Sequence, residues 1–168
     1  MIKVVTILGA RPQFIKAGSV SREFKNHTNI TELIVHTGQH YDQNMSDIFF
    51  DEMQLPKPDF FLDINGLSHG QMVGQMIEKI ESVLLSEKPD WVLLYGDTNS
   101  TLAGAISASK LNLNIAHVES GLRSFNMSMP EEVNRIITDR VSTLLFCPTD
   151  YLRIHKTRRL RYGVETNI

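Results

Sequence analysis

The sequence holds one cysteine, Cys147, in 168 residues. A lone thiol excludes an internal disulfide framework and cannot build a metal site by itself. Long hydrophobic runs are also missing, since no stretch approaches the roughly 18–20 apolar residues of a membrane span. The first eight residues are apolar, but they are too few for a secretory leader and run straight into Gly9-Ala10-Arg11-Pro12. These absences point to a soluble, reducing, cytoplasmic setting. A surplus of one charge is lacking too. Lys and Arg number 17 against 19 Asp and Glu, a net charge of −2, which gives no electrostatic case for a nucleic-acid partner. No internal repeat or low-complexity linker stands out, and no His/Asp/Glu spacing supports a metal. Neither GxGxxG nor a Walker loop is present, because Lys16 follows no GxxxxG.

What is present is an ordinary globular composition, 42% hydrophobic and 21% charged, over a length that makes about one domain. Charge is uneven along it. Residues 1–150 carry 12 basic and 18 acidic side chains, a net −6, whereas residues 151–168 carry five basic and one acidic, a net +4. The basic run Arg153, Lys156, Arg158, Arg159 and Arg161 has the look of a solvated helix face.

Apolar periodicity gives the fold class. Residues 2–8, 33–35, 91–95, 115–119 and 144–146 are short β-branched or apolar runs suited to buried parallel strands. Between them, residues 12–24, 44–53, 67–87, 98–111 and 131–141 have helical spacing, and Pro12 suits a first helical turn. Met72, Met76, Ile77, Ile80, Val83 and Leu84 make an inward stripe, and the Ala-rich 98–111 segment is small enough to pack closely on a sheet. Strands alternating with helices predict an α/β fold, a Rossmann-like, mainly parallel sheet with helices on both faces.

Ligands of such sheets bind beyond the carboxyl ends of the strands. Polar residues gather at four of those ends: Gly9, Arg11 and Lys16; Thr37, Gln39 and His40; Asp97, Thr98 and Asn99; His117, Glu119 and Arg123. Gly9-Ala10-Arg11-Pro12 suits an anion cradle, with free N–H groups at a helix start and Arg11 as a bidentate donor. An ordinary turn with two solvated basic residues fits the same spacing. Asp97 follows five apolar residues, which suits a partly desolvated acid or base, or equally an N-cap for the helix after it. His117 and Glu119 alternate with Val118, so the period of two places them on one strand face. With Asp97, Glu119 offers two carboxylates flanking one crevice, an arrangement suited to acid–base chemistry on a sugar. A strand histidine such as His117 also suits a satisfied core position. Glu131 and Arg135 are spaced i,i+4, which reads as a helical salt bridge.

Five stretches in order carry a resemblance: Gly9 to Lys16, Thr37 to His40, Gly96 to Ala103, His117 to Arg123 and Pro130 to Arg135. Together they resemble the non-hydrolysing UDP-N-acetylglucosamine 2-epimerase family, over residues 1 to about 150. The resemblance implies the N-terminal half of a glycosyltransferase-B-like two-domain enzyme, with a C-terminal nucleotide-binding domain absent and residues 151–168 forming an atypical basic helix and the start of a linker. It implies interconversion of UDP-GlcNAc and UDP-ManNAc by elimination and re-addition of UDP, without a cofactor, in a homodimer. Asp97, Glu119 and Glu131 fall on the family's acidic catalytic positions. Arg11 and Lys16 fall on its substrate-contacting basic positions, Arg135 supports them, and His117 is a secondary substrate-binding candidate. Gln39, His40 and Gln43 match an allosteric site, in which Gln75 stands where many members have Arg. Ser120 stands where Ala is commoner.

Wording around residues 9–17 and 124–132 also resembles the branch acting on UDP-2,3-diacetamido uronates, and a hydrolysing relative is a third enzymatic outcome. The contrasting expectation is a non-catalytic dimerising or ligand-binding remnant. A separately encoded C-terminal half would instead make a split enzyme. Alone, the chain is expected to have negligible epimerase activity.

Overall fold

The computed structural model describes residues 1–39, 50–51 and 57–148. In chain order its elements are β1 (Ile2–Leu8), α1 (Arg11–Phe24), β2 (Ile30–His36), β3 (Phe60–Phe61), α2 (His69–Glu87), β4 (Trp91–Tyr95), α3 (Asn99–Lys110), β5 (Asn114–Val118), α4 (Pro130–Val141) and β6 (Leu144–Phe146). The strands form one sheet in the order β3-β2-β1-β4-β5-β6, and every neighbouring pair is parallel. This is the doubly wound order, in which the chain leaves β1 in opposite directions for its two halves. The point where the order reverses lies between the carboxyl ends of β1 and β4, which is where sheets of this order form their ligand crevice.

Side-chain alternation along the strands feeds two cores. Val5, Ile7, Val35, Val92, Leu94 and Ile115 face Met76, Ile80, Val83 and Leu84 of α2 and Ala103, Ala105 and Ala108 of α3. Val4, Leu8, Ile34, Leu93, Tyr95 and Ala116 face Phe14 and Ala17 of α1, with Phe50 closing that side. α4 packs beside α3 and against β5. The expected α/β architecture with helices on both faces is therefore present, and the methionines of α2 are core residues. α3 approaches the sheet very closely, because its inner face is alanine and glycine: a Cβ on Gly104 would meet Leu94 Cδ2 at 2.7 Å and Ile7 Cδ1 at 2.9 Å.

Two expectations change. β2 begins three residues earlier than its apolar run, and the two-residue β3 adds an edge strand that the sequence reading lacked. Of the expected helix at 44–53, only Phe50 and Asp51 are among the described residues, and both are helical. His40, Gln43 and the basic run from Arg153 to Arg161 lie outside the described residues. Among those described, no helix is long and apolar enough to cross a membrane, and no cluster of three metal-ligating side chains forms.

Candidate functional site

The crevice is organised by Gln13, a buried residue in the first turn of α1. Its Oε1 accepts the backbone N–H of Gly9 at 2.8 Å and of Ala10 at 2.9 Å. Its Nε2 lies 2.7 Å from Tyr95 O, 3.0 Å from Thr98 Oγ1 and 2.9 Å from Thr101 Oγ1. One amide thus ties the turn after β1 to the turn after β4. The same bonds narrow the anion-cradle expectation: the Gly9 and Ala10 N–H groups are already satisfied within the turn, so they do not contribute to a cradle, while the Arg11 side chain is exposed beside them. Gly9 is required here by space. A Cβ would lie 2.0 Å from Ser100 Oγ and 2.2 Å from Thr37 Oγ1, which are themselves hydrogen-bonded at 2.8 Å.

Asp97 follows the end of β4 but does not cap α3. Thr98 does, accepting Thr101 N–H at 3.3 Å. The Asp97 carboxylate instead turns to α4, where Arg135 donates to Oδ2 from Nη2 at 2.6 Å and from Nε at 3.2 Å. Asn134, from the same helix, donates to the Asp97 carbonyl at 2.9 Å. The third edge of the guanidinium, Nη1, lies 2.9 Å from Glu132 Oε2. The expected Glu131–Arg135 pair is therefore replaced by an i,i+3 pair with Glu132. Glu131 is exposed at the first turn of α4, with no hydrogen bond or ion pair among the described residues. Glu132 was not among the sequence candidates. Burial alone would push its carboxyl up, but the Ser124 and Phe125 N–H groups and the Arg135 charge outweigh that and hold it below the usual range.

Glu119 lies one residue beyond β5 with φ +68, in the left-handed region that non-glycine residues rarely adopt. This reverses the alternation argument. His117 points to the α4 side, where Nδ1 lies 2.9 Å from Asp139 Oδ1 and Nε2 lies 2.7 Å from Gly96 O. Glu119, turned by its own backbone, ion-pairs with Lys16 of α1 on the opposite face. Gly96 sits beside it, with φ +63 and a hypothetical Cβ 3.4 Å from Glu119 Oε2. His117 has no exposed surface, and each ring nitrogen faces a protein acceptor. It fits the alternative of a satisfied core histidine.

Other candidates are drawn into the scaffold. Arg123 pairs with Asp139 at 2.7 Å, and Gln39 Oε1 accepts from Ser100 N at 3.0 Å and Oγ at 2.8 Å. Gln75 is exposed on α2, and Ser120 is buried with its hydroxyl 3.5 Å from Cys147 Sγ. The edge therefore holds two anchored carboxylates, Asp97 on Arg135 and Glu119 on Lys16. They come from adjacent strand ends, with Gly96 between them.

The sequence profile described as UDP-N-acetylglucosamine 2-epimerase matches residues 22–161. A UDP-2,3-diacetamido-2,3-dideoxy-D-glucuronate 2-epimerase of Pseudomonas aeruginosa is 64% identical over 88% of this chain and 42% of its own length. A UDP-N-acetylglucosamine 2-epimerase homolog of Methanococcus maripaludis is 59% identical over 97% of this chain and 45% of its own. The crystal structure of the Methanocaldococcus jannaschii UDP-GlcNAc 2-epimerase in complex with UDP-GlcNAc and UDP superposes with a TM-score of 0.89 at 50% identity, covering 98% of this chain and 44% of that one. The chain spans less than half the length of these relatives.

Proposed function

This chain belongs to the UDP-N-acetylglucosamine 2-epimerase family, and on that premise we propose that it is the N-terminal half of an enzyme converting UDP-GlcNAc to UDP-ManNAc. The observation that carries the reading is the pair of cation-anchored carboxylates, Asp97–Arg135 and Glu119–Lys16, on either side of Gly96 at the carboxyl edge.

The reaction inverts C2 of the sugar. A carboxylate removes the C2 proton, the C1–O bond breaks, and its electron pair leaves with the diphosphate, giving a glycal and UDP. A second acid then delivers a proton to the opposite face of C2, and a diphosphate oxygen re-forms the bond to C1. Such chemistry needs acid–base groups and cationic stabilisation of the leaving group. Asp97, Glu119 and Glu131 supply the first, and Arg11, Lys16 and Arg135 the second. The Lys16–Glu119 pair is part-exposed and worth about 0–1 kcal/mol, so an arriving diphosphate can draw Lys16 away and release Glu119. Glu131 needs no such release. His117 acts here as a positioning residue, holding the Gly96 carbonyl beside Asp97. Assembly as a homodimer in the cytoplasm, and completion by a C-terminal half that grips the nucleotide, belong to the same reading.

A second reading is favoured by the 64% identity to the P. aeruginosa enzyme: the substrate is a UDP-2,3-diacetamido uronate. One experiment addresses both. The chain is mixed with the separately expressed C-terminal half of the M. maripaludis relative in D2O, and NMR follows deuterium entering C2 of each substrate. Exchange into UDP-GlcNAc with formation of UDP-ManNAc, lowered about 100-fold or more by Asp97→Asn, is expected. Exchange into the uronate alone establishes the second reading. A folded mixture that exchanges neither substrate rejects both.

A further inference from the structure

Glu132 has no role in the chemistry above, yet its buried carboxylate takes three hydrogen bonds. It is 1% exposed. Ser124 N–H donates to its Oε2 at 3.0 Å, Phe125 N–H to its Oε1 at 3.0 Å, and Arg135 Nη1 to its Oε2 at 2.9 Å. A guanidinium is planar, with donors in a fixed fork. Seating Nη1 on Glu132 therefore fixes the plane and aims Nε and Nη2 at Asp97 Oδ2.

We propose that Glu132 is the positioning residue that couples the 124–129 loop to Asp97, through Arg135. This rests on the reading that Asp97 acts on the sugar. The coupling runs in both directions. On one side, Glu132 holds Phe125 at φ +59, a left-handed conformation unfavourable for an aromatic residue, and Phe125 is 80% exposed. Met127 and Met129 of the same loop are exposed as well. On the other side, Glu132 orients Arg135, which anchors the Asp97 carboxylate. A sugar seated against the loop is thereby registered against Asp97 by a single buried group. The depressed Glu132 pKa agrees with an ion that is fully engaged by donors.

If Glu132 only capped the loop, its loss would be indifferent to what Arg135 does. Coupling predicts otherwise, and a double-mutant cycle separates the two. In the reconstituted epimerase, Glu132→Gln is expected to lower kcat about 30-fold and leave KM within about threefold. In an Arg135→Gln background the same change should cost less than about threefold in kcat. An equal loss in both backgrounds overturns the proposal. A second readout needs no turnover: the Arg135 Nε–H resonance of the 15N-labelled chain. Glu132→Gln should move it toward the value of a free guanidinium while the remaining amide dispersion persists, and an unmoved resonance overturns the proposal. Should Glu132→Gln unfold the chain, Glu132→Asp keeps the charge, withdraws it by one methylene and carries both readouts. A parent enzyme with no turnover rejects the functional reading, and the Nε–H signal still decides the geometry.

Discussion

His36 illustrates how a single buried side chain gives the molecule a pH dependence. It stacks among Phe14, Phe50 and Phe61, with ring centroids 4.9, 6.1 and 5.0 Å away, and its Nδ1 accepts the Gly38 N–H at 2.9 Å. Burial lowers its pKa from 6.5 to about 4. Below pH 6.5 the unfolded chain binds a proton that the folded chain refuses until about pH 4. Stability is therefore complete above that window and falls as pH drops through it, by about 3 kcal/mol in full. Urea midpoints between pH 7 and 4 should fall more steeply for the parent than for His36→Leu. Glu32 works in the opposite sense: burial raises its pKa despite the 2.5 Å hydrogen bond from Thr6. Its ionisation opposes folding as pH rises past the ordinary carboxylate range. Glu32→Gln should accordingly raise the melting temperature at pH 7 relative to the parent, and lose that advantage near pH 4.

Among the elements, α3 and its N-terminal approach depend on two glycines in different ways. At Gly104 the intruding atoms are the tips of Leu94 and Ile7, which can shift. The helix-propensity gain of alanine, about 1 kcal/mol, then offsets the crowding, and Gly104→Ala should be close to neutral. Gly104→Leu should cost about 2–3 kcal/mol through overpacking. At Gly9 the obstacles are two short, mutually bonded hydroxyl side chains, so even Gly9→Ala should cost about 2 kcal/mol or more in a denaturant titration. The strands of the central sheet were readable because their apolar runs are continuous. β3 was not, because two residues carry no period. At the site, the strand ends named residues that the structure places at one edge, but their contacts escaped. The period of two assumes extended backbone, which fails at Glu119, and i,i+4 spacing does not say that Arg135 prefers Glu132 and Asp97. Gln13 and Glu132 were invisible for one reason: their role is to join segments distant in sequence, and no local pattern marks that.

For the molecule as a whole, the edge is nearly balanced in charge. Three cations, Arg11, Lys16 and Arg135, stand at the strand ends and in the opening turns of α1 and α4 with four carboxylates, Asp97, Glu119, Glu131 and Glu132, so the chain presents no surplus of cations there to a diphosphate. Lys16 and Arg135 are already engaged by carboxylates. UDP should therefore bind the 168-residue chain with a Kd of about 1 mM or weaker, and added salt should weaken it further. Calorimetry with UDP and UDP-GlcNAc checks this, with Arg11→Ala expected to abolish the remaining signal. Submicromolar binding by the chain alone would contradict this charge balance.

The left-handed backbone at Glu119 also bears on the chain's history. An L-residue other than glycine is disfavoured there by about 1 kcal/mol, so Glu119→Gly should melt above Glu119→Ala by roughly that margin. A lineage that had abandoned chemistry and kept only a folded shell would gain by drifting to glycine at this position. The glutamate that stands there forgoes that easier backbone and holds a carboxylate against Lys16.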